Sequence, residues 1–334
     1  MTSIPKKPHT PTSSKPTVMV LEGVRGMPVD KDPHSHNVAR SVQRVLPEDN
    51  PVGISFRQVS EPKETFQYNR IPVAIENSFL SQFKEFTESL NDIGKLKKSQ
   101  RPNAVNASFG RTKFTVLTDF KEQPELFFKM ATQAEKTSLF DLQKEKKATK
   151  YVWKLPELES YIDTTLDKSP KITEAKKKAE DAVEALKQKN VAVVVAAGNL
   201  NDDIEAFKKE HPDVQFESDE GQSIFALKNT ITVGASNADG TLTDYSSRGT
   251  EVDFTTQIPP SIKKRGTSYT APTAAGMVAF LTAQGYTVDE AKELLKNWGT
   301  AKQDEFGNSY TDLNLADVQK KLAQLNQPTS KEKK

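Results

Sequence analysis

The chain has 334 residues, 35% of them hydrophobic and 28% charged, with a formal net charge of +2 at pH 7. That length suits one large α/β domain or two ordinary ones, and so small a net charge gives no electrostatic case for nucleic acid. The absence of cysteine excludes disulfides, thiolate catalysis and Cys-ligated metals. No run approaches the ~20 apolar residues that a membrane-spanning helix needs.

Residues 1–16, rich in Pro, Ser, Thr and Lys, read as a disordered tail, and residues 326–334 read the same way. The first lysines are followed by no apolar stretch, which argues against a Sec-type signal. The expectation is a cytoplasmic protein, or one exported by a route without such a signal, a host cell being one destination.

Between the tails, one domain spans 17–325, and short β-branched runs alternate with helical patterns. Strands are expected at "TVMVLEG" (17–23), "PVGISFRQV" (51–59), "NAVNASFG" (103–110), "VAVVVAAGN" (191–199) and "TITVGAS" (230–236). The fourth is apolar almost throughout, as a parallel strand buried on both faces requires. Helices are expected at 79–98, with Phe79, Leu80, Phe83, Phe86 and Leu90 on one face, and at 171–190, with Ile172, Ala175, Ala179, Ala182, Val183 and Leu186 on one face. Two more follow: the small-residue run 268–285, and 287–299, which opens on a Thr-x-x-Glu capping-box spacing. Residues 111–170 mix aromatics with charges without a βα rhythm and read as a helical insertion, a lid or a partner surface.

Strands alternating with helices predict an α/β fold with a doubly wound, mostly parallel sheet, whose ligands lie at the carboxyl ends of the strands. Glu22, Ser108, Gly110, Gly198 and Asn199 fall at those ends. A serine at a helix start, as in "RGTSYTAPTAAG" (265–276), is either a cap or a nucleophile in a site that favours developing negative charge.

The set "VAVVVAAGN", "ITVGAS", "DYSSRGTEVDF" and "GTSYTAPTAAG" resembles, in order and spacing, the subtilisin-like serine peptidases, the S8-type subtilases. In the N-terminal half "VNASFG" is similar to a wall of their substrate cleft, and "HSHNVARSV" (34–42) to their His-Gly-Thr-x-Val-Ala helix start. The resemblance implies a subtilisin-like three-layer fold and a serine endopeptidase acting through an acyl-enzyme. In it Ser268 is the nucleophile and Asn199 the oxyanion donor beside the Ser268 amide. Matching Val38-Ala39 makes His34 the base, with His36 as the alternative, and puts Glu22 in the acid position, with Asp30 and Asp32 as alternatives. Glu22 stands where the family has aspartate, and the interval to His34 is short. The resemblance further implies a protein or peptide substrate lying along Asn106, Ser108 and Gly110, with Ala196 and Gly198 walling the first pocket. No cofactor or metal is expected. The rival reading is a catalytically impaired subtilase-fold protein that binds peptides or proteins.

Overall fold

A computed structural model describes residues 15–22, 32–46, 52–59, 71–122, 155–216 and 219–326. Eight strands build the sheet: β1 (Thr17–Glu22), β2 (Gly53–Gln58), β3 (Ala104–Ala107), β4 (Ala192–Ala196), β5 (Ile231–Ala235), β6 (Phe254–Thr256), β7 (Thr300–Gln303) and β8 (Ser309–Leu313). Their order is β2-β1-β3-β4-β5-β6-β8-β7, parallel throughout except for the antiparallel β7–β8 hairpin at one edge.

The order reverses at β1: the chain runs outward to β2, then returns to pair β3 on the other side. In a doubly wound sheet that reversal opens a crevice at the carboxyl ends of the two inner strands. β1 and β3 pair through Leu21↔Ala107, so Glu22 and Ser108 emerge side by side at its mouth.

The helices, in chain order, are α1 (Pro33–Arg44), α2 (Ile71–Lys95), α3 (Lys113–Glu122), α4 (Leu155–Lys168), α5 (Pro170–Lys187), α6 (Asn201–Glu210), α7 (Thr267–Ala283), α8 (Val288–Trp298) and α9 (Leu315–Asn326). Side-chain alternation along β4 divides them into two layers: Ala192, Val194 and Ala196 face the core built with α1, α7, α8 and α9, while Val193 and Val195 face that of α2 to α6. A strand apolar on both faces can only be central, so the pattern at 191–199 carries the three-layer arrangement.

α7 runs through the first core with all but Ser268 of its residues buried. Its small side chains let α1 press close. A Cβ at Gly276 would stand 2.7 Å from Val45 Cγ1 and 2.8 Å from the Val42 carbonyl oxygen, so only glycine admits that approach. This contact seats α1, and with it His34, against the helix that carries Ser268.

The five expected strands and four expected helices all occur, with differences at their ends. The third strand stops at Ala107 rather than Gly110, and α2 begins at Ile71, eight residues before the expected start. β6 to β8, α6 and α9 were not foreseen. Of the 111–170 insertion, 123–154 lie outside the described residues; its described ends are α3 and α4, whose Phe114, Val116, Leu117, Leu158 and Ile162 belong to the second core. The expected tails fall almost wholly outside the described residues.

Candidate active site

Ser268 is the second residue of α7 and partly exposed at its amino terminus. The residue before the helix, Gly266, has φ of 140°, a backbone state that side chains other than glycine's rarely adopt, and this sets the sharp entry that brings Ser268 forward. Pro272 lacks the N–H that would bond the Ser268 carbonyl in a regular helix. Ser108 Oγ donates to that carbonyl at 3.3 Å, and is itself held by Asn106 Nδ2 at 2.9 Å. The proline thus leaves an acceptor at the backbone of Ser268 itself, and Ser108, just beyond β3, satisfies it.

Thr267 does the same service for Asn199. Its backbone N–H donates to Asn199 Oδ1 at 2.6 Å and its hydroxyl to the same oxygen at 2.9 Å, while Gly198 N–H donates to that hydroxyl at 3.2 Å. A backbone N–H can be accepted only by the amide oxygen, so the side chain's orientation is fixed. Asn199 Nδ2 is left without a hydrogen bond among the described residues, on an exposed residue beside the start of α7. Arg265, paired with Asp202 and lying 4.7 Å over the Tyr245 ring, ties the approach to Gly266 to the first turn of α6.

Across the crevice, Glu22 closes β1 with 3% of its surface exposed. Its Oε2 is 3.3 Å from His34 Nδ1, and its Oε1 is buried without a hydrogen bond. Burial alone pushes His34 toward its neutral form; the hydrogen bond to Glu22 and the charges of Glu22 and Asp32 outweigh it, so its pKa lies above the ordinary 6.5. The imidazole also lies against the Tyr269 ring, with centroids 5.5 Å apart.

The alternatives are placed elsewhere. His36 is exposed on α1. Asp32 is the N-cap of α1: its carboxylate accepts from His34 N at 3.2 Å and from Ser35 N and Oγ, both at 3.0 Å. Burial acts against its charge, but these donors hold the Asp32 carboxyl below its ordinary range. Asp30 lies outside the described residues. Glu22, Asp32 and His34 each offer one ligand atom within 4.8 Å of the others, a grouping able to take a metal, although the Asp32 carboxylate is already engaged by α1.

The expected substrate-facing residues divide. Asn106 is fully buried within the sheet and Ala196 is 8% exposed and paired to Val233, so these two support the crevice from behind instead of lining it. Ser108, Gly110 and Gly198 lie beyond the paired strands, Gly110 exposed and Gly198 half-buried. Ser268 Oγ donates to the Ser108 carbonyl at 3.3 Å, and among the described residues no hydrogen bond joins it to His34. The sequence reading missed Thr267 and the Ser108 hydroxyl. The Gly-Thr-Ser triplet signalled the first; nothing local signals the second, since Ser108 and Ser268 are 160 residues apart.

The switch point of the parallel sheet thus carries a serine at a helix start, held to Ser108, and a carboxylate–imidazole pair at the end of β1. The profile of the subtilase family matches residues 72–312, and the chain belongs to that family. The matched span includes Asn199 and Ser268 but begins after Glu22 and His34. No curated protein matches the chain in sequence. Among solved structures it is similar to a lanthipeptide protease at 16% identity and TM-score 0.49, covering 92% of this chain and 87% of that one. It is also similar to the nisin leader peptidase NisP from Lactococcus lactis, at 12% identity and TM-score 0.45 over 93% of this chain and 88% of that one. A third is the epidermin leader peptide processing serine protease EpiP from Staphylococcus aureus, at 16% identity and TM-score 0.45 over 96% and 78%. Among the described residues no helix is long and apolar enough to cross a membrane.

Proposed function

We propose that the protein is a serine endopeptidase that hydrolyses peptide bonds through an acyl-enzyme on Ser268. The observation that carries this reading is the Asn199 side chain, turned by Thr267 so that its N–H groups are free beside the Ser268 amide. Two such donors stabilise the oxyanion of a tetrahedral intermediate, the point at which acyl transfer needs most help.

In this reading an extended peptide lies along Ser108 to Gly110, and its backbone N–H takes over the Ser108 carbonyl. The Ser268 hydroxyl, released from that carbonyl, turns to His34 Nε2 and gives up its proton as it attacks the scissile carbon. Glu22 on Nδ1 fixes the imidazole tautomer and stabilises the imidazolium. The intermediate collapses, His34 returns the proton to the leaving amine, and water then hydrolyses the ester by the same route.

A second reading is favoured by the Ser268 hydroxyl's contact with Ser108 instead of His34: a subtilase-fold module that binds a peptide without cutting it. Labelling with a fluorophosphonate separates the two. A peptidase is labelled at Ser268, and Ser268→Ala abolishes the labelling. Wild type reacting no faster than Ser268→Ala leaves the binding module.

A further inference from the structure

Tyr269 follows Ser268 on α7 and reaches across to α1. The residue is 6% exposed, and its ring lies against the His34 imidazole with centroids 5.5 Å apart and planes tilted by 49°. Its hydroxyl is hydrogen-bonded to the Asn37 side chain. Asn37 stands three residues after His34 on α1, so both lie on one face of that helix, and a single side chain from α7 grips the pair. The tyrosine backbone is itself held: its N–H donates to the Gly266 carbonyl at 3.1 Å, and its carbonyl accepts from Thr273 Oγ1 at 2.8 Å.

The grip answers a geometric need. Glu22 Oε2 holds one atom of the imidazole, Nδ1, at 3.3 Å, while the His34 side chain keeps 36% of its surface exposed. One hydrogen bond fixes where Nδ1 sits but lets the ring turn about it. Such a turn swings Nε2, the atom that must meet Ser268 Oγ. A surface packed on the ring removes that freedom, and aromatic rings pair at centroid separations of about 4.5–7 Å. Burial and the Glu22 charge push the Tyr269 phenol above its ordinary 10, against the pull of the Asn37 hydrogen bond, so the hydroxyl stays protonated through the neutral range. Tyr269 therefore acts through its shape and one hydrogen bond, and not as an acid or a base.

We propose that Tyr269 is a positioning residue, which sets the angle of the His34 imidazole and ties it to the helix that carries Ser268. For its kinetic effect the proposal rests on the peptidase reading. Because Ser268 and Tyr269 are consecutive, a shift of α7 against α1 moves the nucleophile together with the ring that aims its base.

The test measures two quantities on the full chain, well below the Tm of each variant. The first is the rate of Ser268 labelling by a fluorophosphonate, taken on the plateau above the His34 pKa. Tyr269→Leu removes the ring but keeps an apolar side chain in the core. It lowers the plateau by roughly tenfold to a hundredfold, the upper figure being the cost of a 1 Å misplacement. Tyr269→Phe keeps the ring and restores the rate to within severalfold of wild type. The second quantity is the order of the His34 ring carbons by nuclear magnetic relaxation, their signals assigned by their loss in His34→Gln. The order parameter falls below about 0.6 in Tyr269→Leu and stays close to wild type in Tyr269→Phe. A wild-type plateau or wild-type His34 order in Tyr269→Leu overturns the proposal and leaves Tyr269 as core filling. A wild type that is not labelled at all refutes the peptidase reading instead, and the ring order alone then decides on Tyr269. Should Tyr269→Leu not fold, Asn37→Ala takes its place. It cuts the tether to α1 and lowers the plateau severalfold, as Tyr269→Phe does, and the double variant loses no more than either single one. Wild-type labelling of Asn37→Ala then overturns the proposal.

Discussion

The two walls of the crevice are held in different ways. On the α7 side, Ser268 is fixed through its backbone: Gly266 sets the entry, Thr267 clasps Asn199 and Ser108 holds the carbonyl that Pro272 leaves free. On the α1 side, His34 relies on side-chain contacts, with Glu22 and the Tyr269 ring, and on the packing of α1 against α7 at Gly276. Backbone-held groups tolerate changes in nearby side chains; a pair of side chains does not. The α1 wall is accordingly where single substitutions have most to disturb.

The largest effect is expected at Glu22. Glu22→Gln keeps the size but removes the charge, and losing the carboxylate of a Ser-His-acid triad costs about 10⁴ in turnover in the best-studied case. It also changes the pH profile, with a definite sign. Activity needs neutral His34, whose pKa is raised above 6.5, so the rate falls as pH drops through that raised value. Glu22→Gln withdraws the negative charge that raises it, leaving only a neutral acceptor, and the acid limb moves to lower pH. The same linkage affects stability: protonated His34 favours the folded chain most fully below the unfolded value of 6.5, and this is lost as pH rises through the folded value. A profile of kcat/KM against pH that is identical in wild type and variant removes Glu22 as the partner of His34.

On the α7 wall, Asn199→Ala is next in size. Removing a single oxyanion donor costs about 10²–10³ in kcat, as for the corresponding asparagine of subtilisin, with little change in KM. The Thr267 N–H also loses its acceptor, which lowers stability by about 1–2 kcal/mol. Steady-state kinetics with urea unfolding separates the two losses. A stability loss with unchanged kcat would leave Asn199 as no more than an anchor for α7.

The two walls also differ in how far they could be read from the sequence. Asn199 and Ser268 were legible because their surroundings are local: a buried strand ending in Gly-Asn, and a Gly-Thr-Ser turn followed by proline and small residues. On the other wall the sequence left Glu22, Asp30 and Asp32 open as acids, and His34 and His36 as bases. A cap signature was present, since Asp32 precedes Pro33 at the first helical position, and reading it would have assigned Asp32 to α1. The Glu22–His34 contact itself has no such signature, because it depends on how α1 packs on α7. β6 to β8 escaped for a different reason: β6 has three residues, and β7 is an exposed Thr-Ala-Lys-Gln edge with no apolar alternation. α2 extends eight residues beyond the phenylalanine face that marked its core-facing part.

The smallest effect tests whether the α7 wall is as firmly held as its contacts imply. Ser108→Ala removes the donor to the Ser268 carbonyl, and the missing N–H of Pro272 means that the helix cannot replace it. It also takes the acceptor from Asn106 Nδ2, a fully buried group. Each neutral hydrogen bond contributes about 0.5–1.5 kcal/mol, so the variant unfolds at lower urea by about 1–2 kcal/mol. The Thr267–Asn199 clasp and Gly266 remain, so kcat falls by less than the roughly 10²-fold that a 1 Å misplacement costs. Ser108→Thr, which keeps the hydroxyl, restores most of the stability. A loss in kcat as large as that of Asn199→Ala would mean that Ser108, and not the clasp, sets the position of the nucleophile, and the contrast between the two walls would fail.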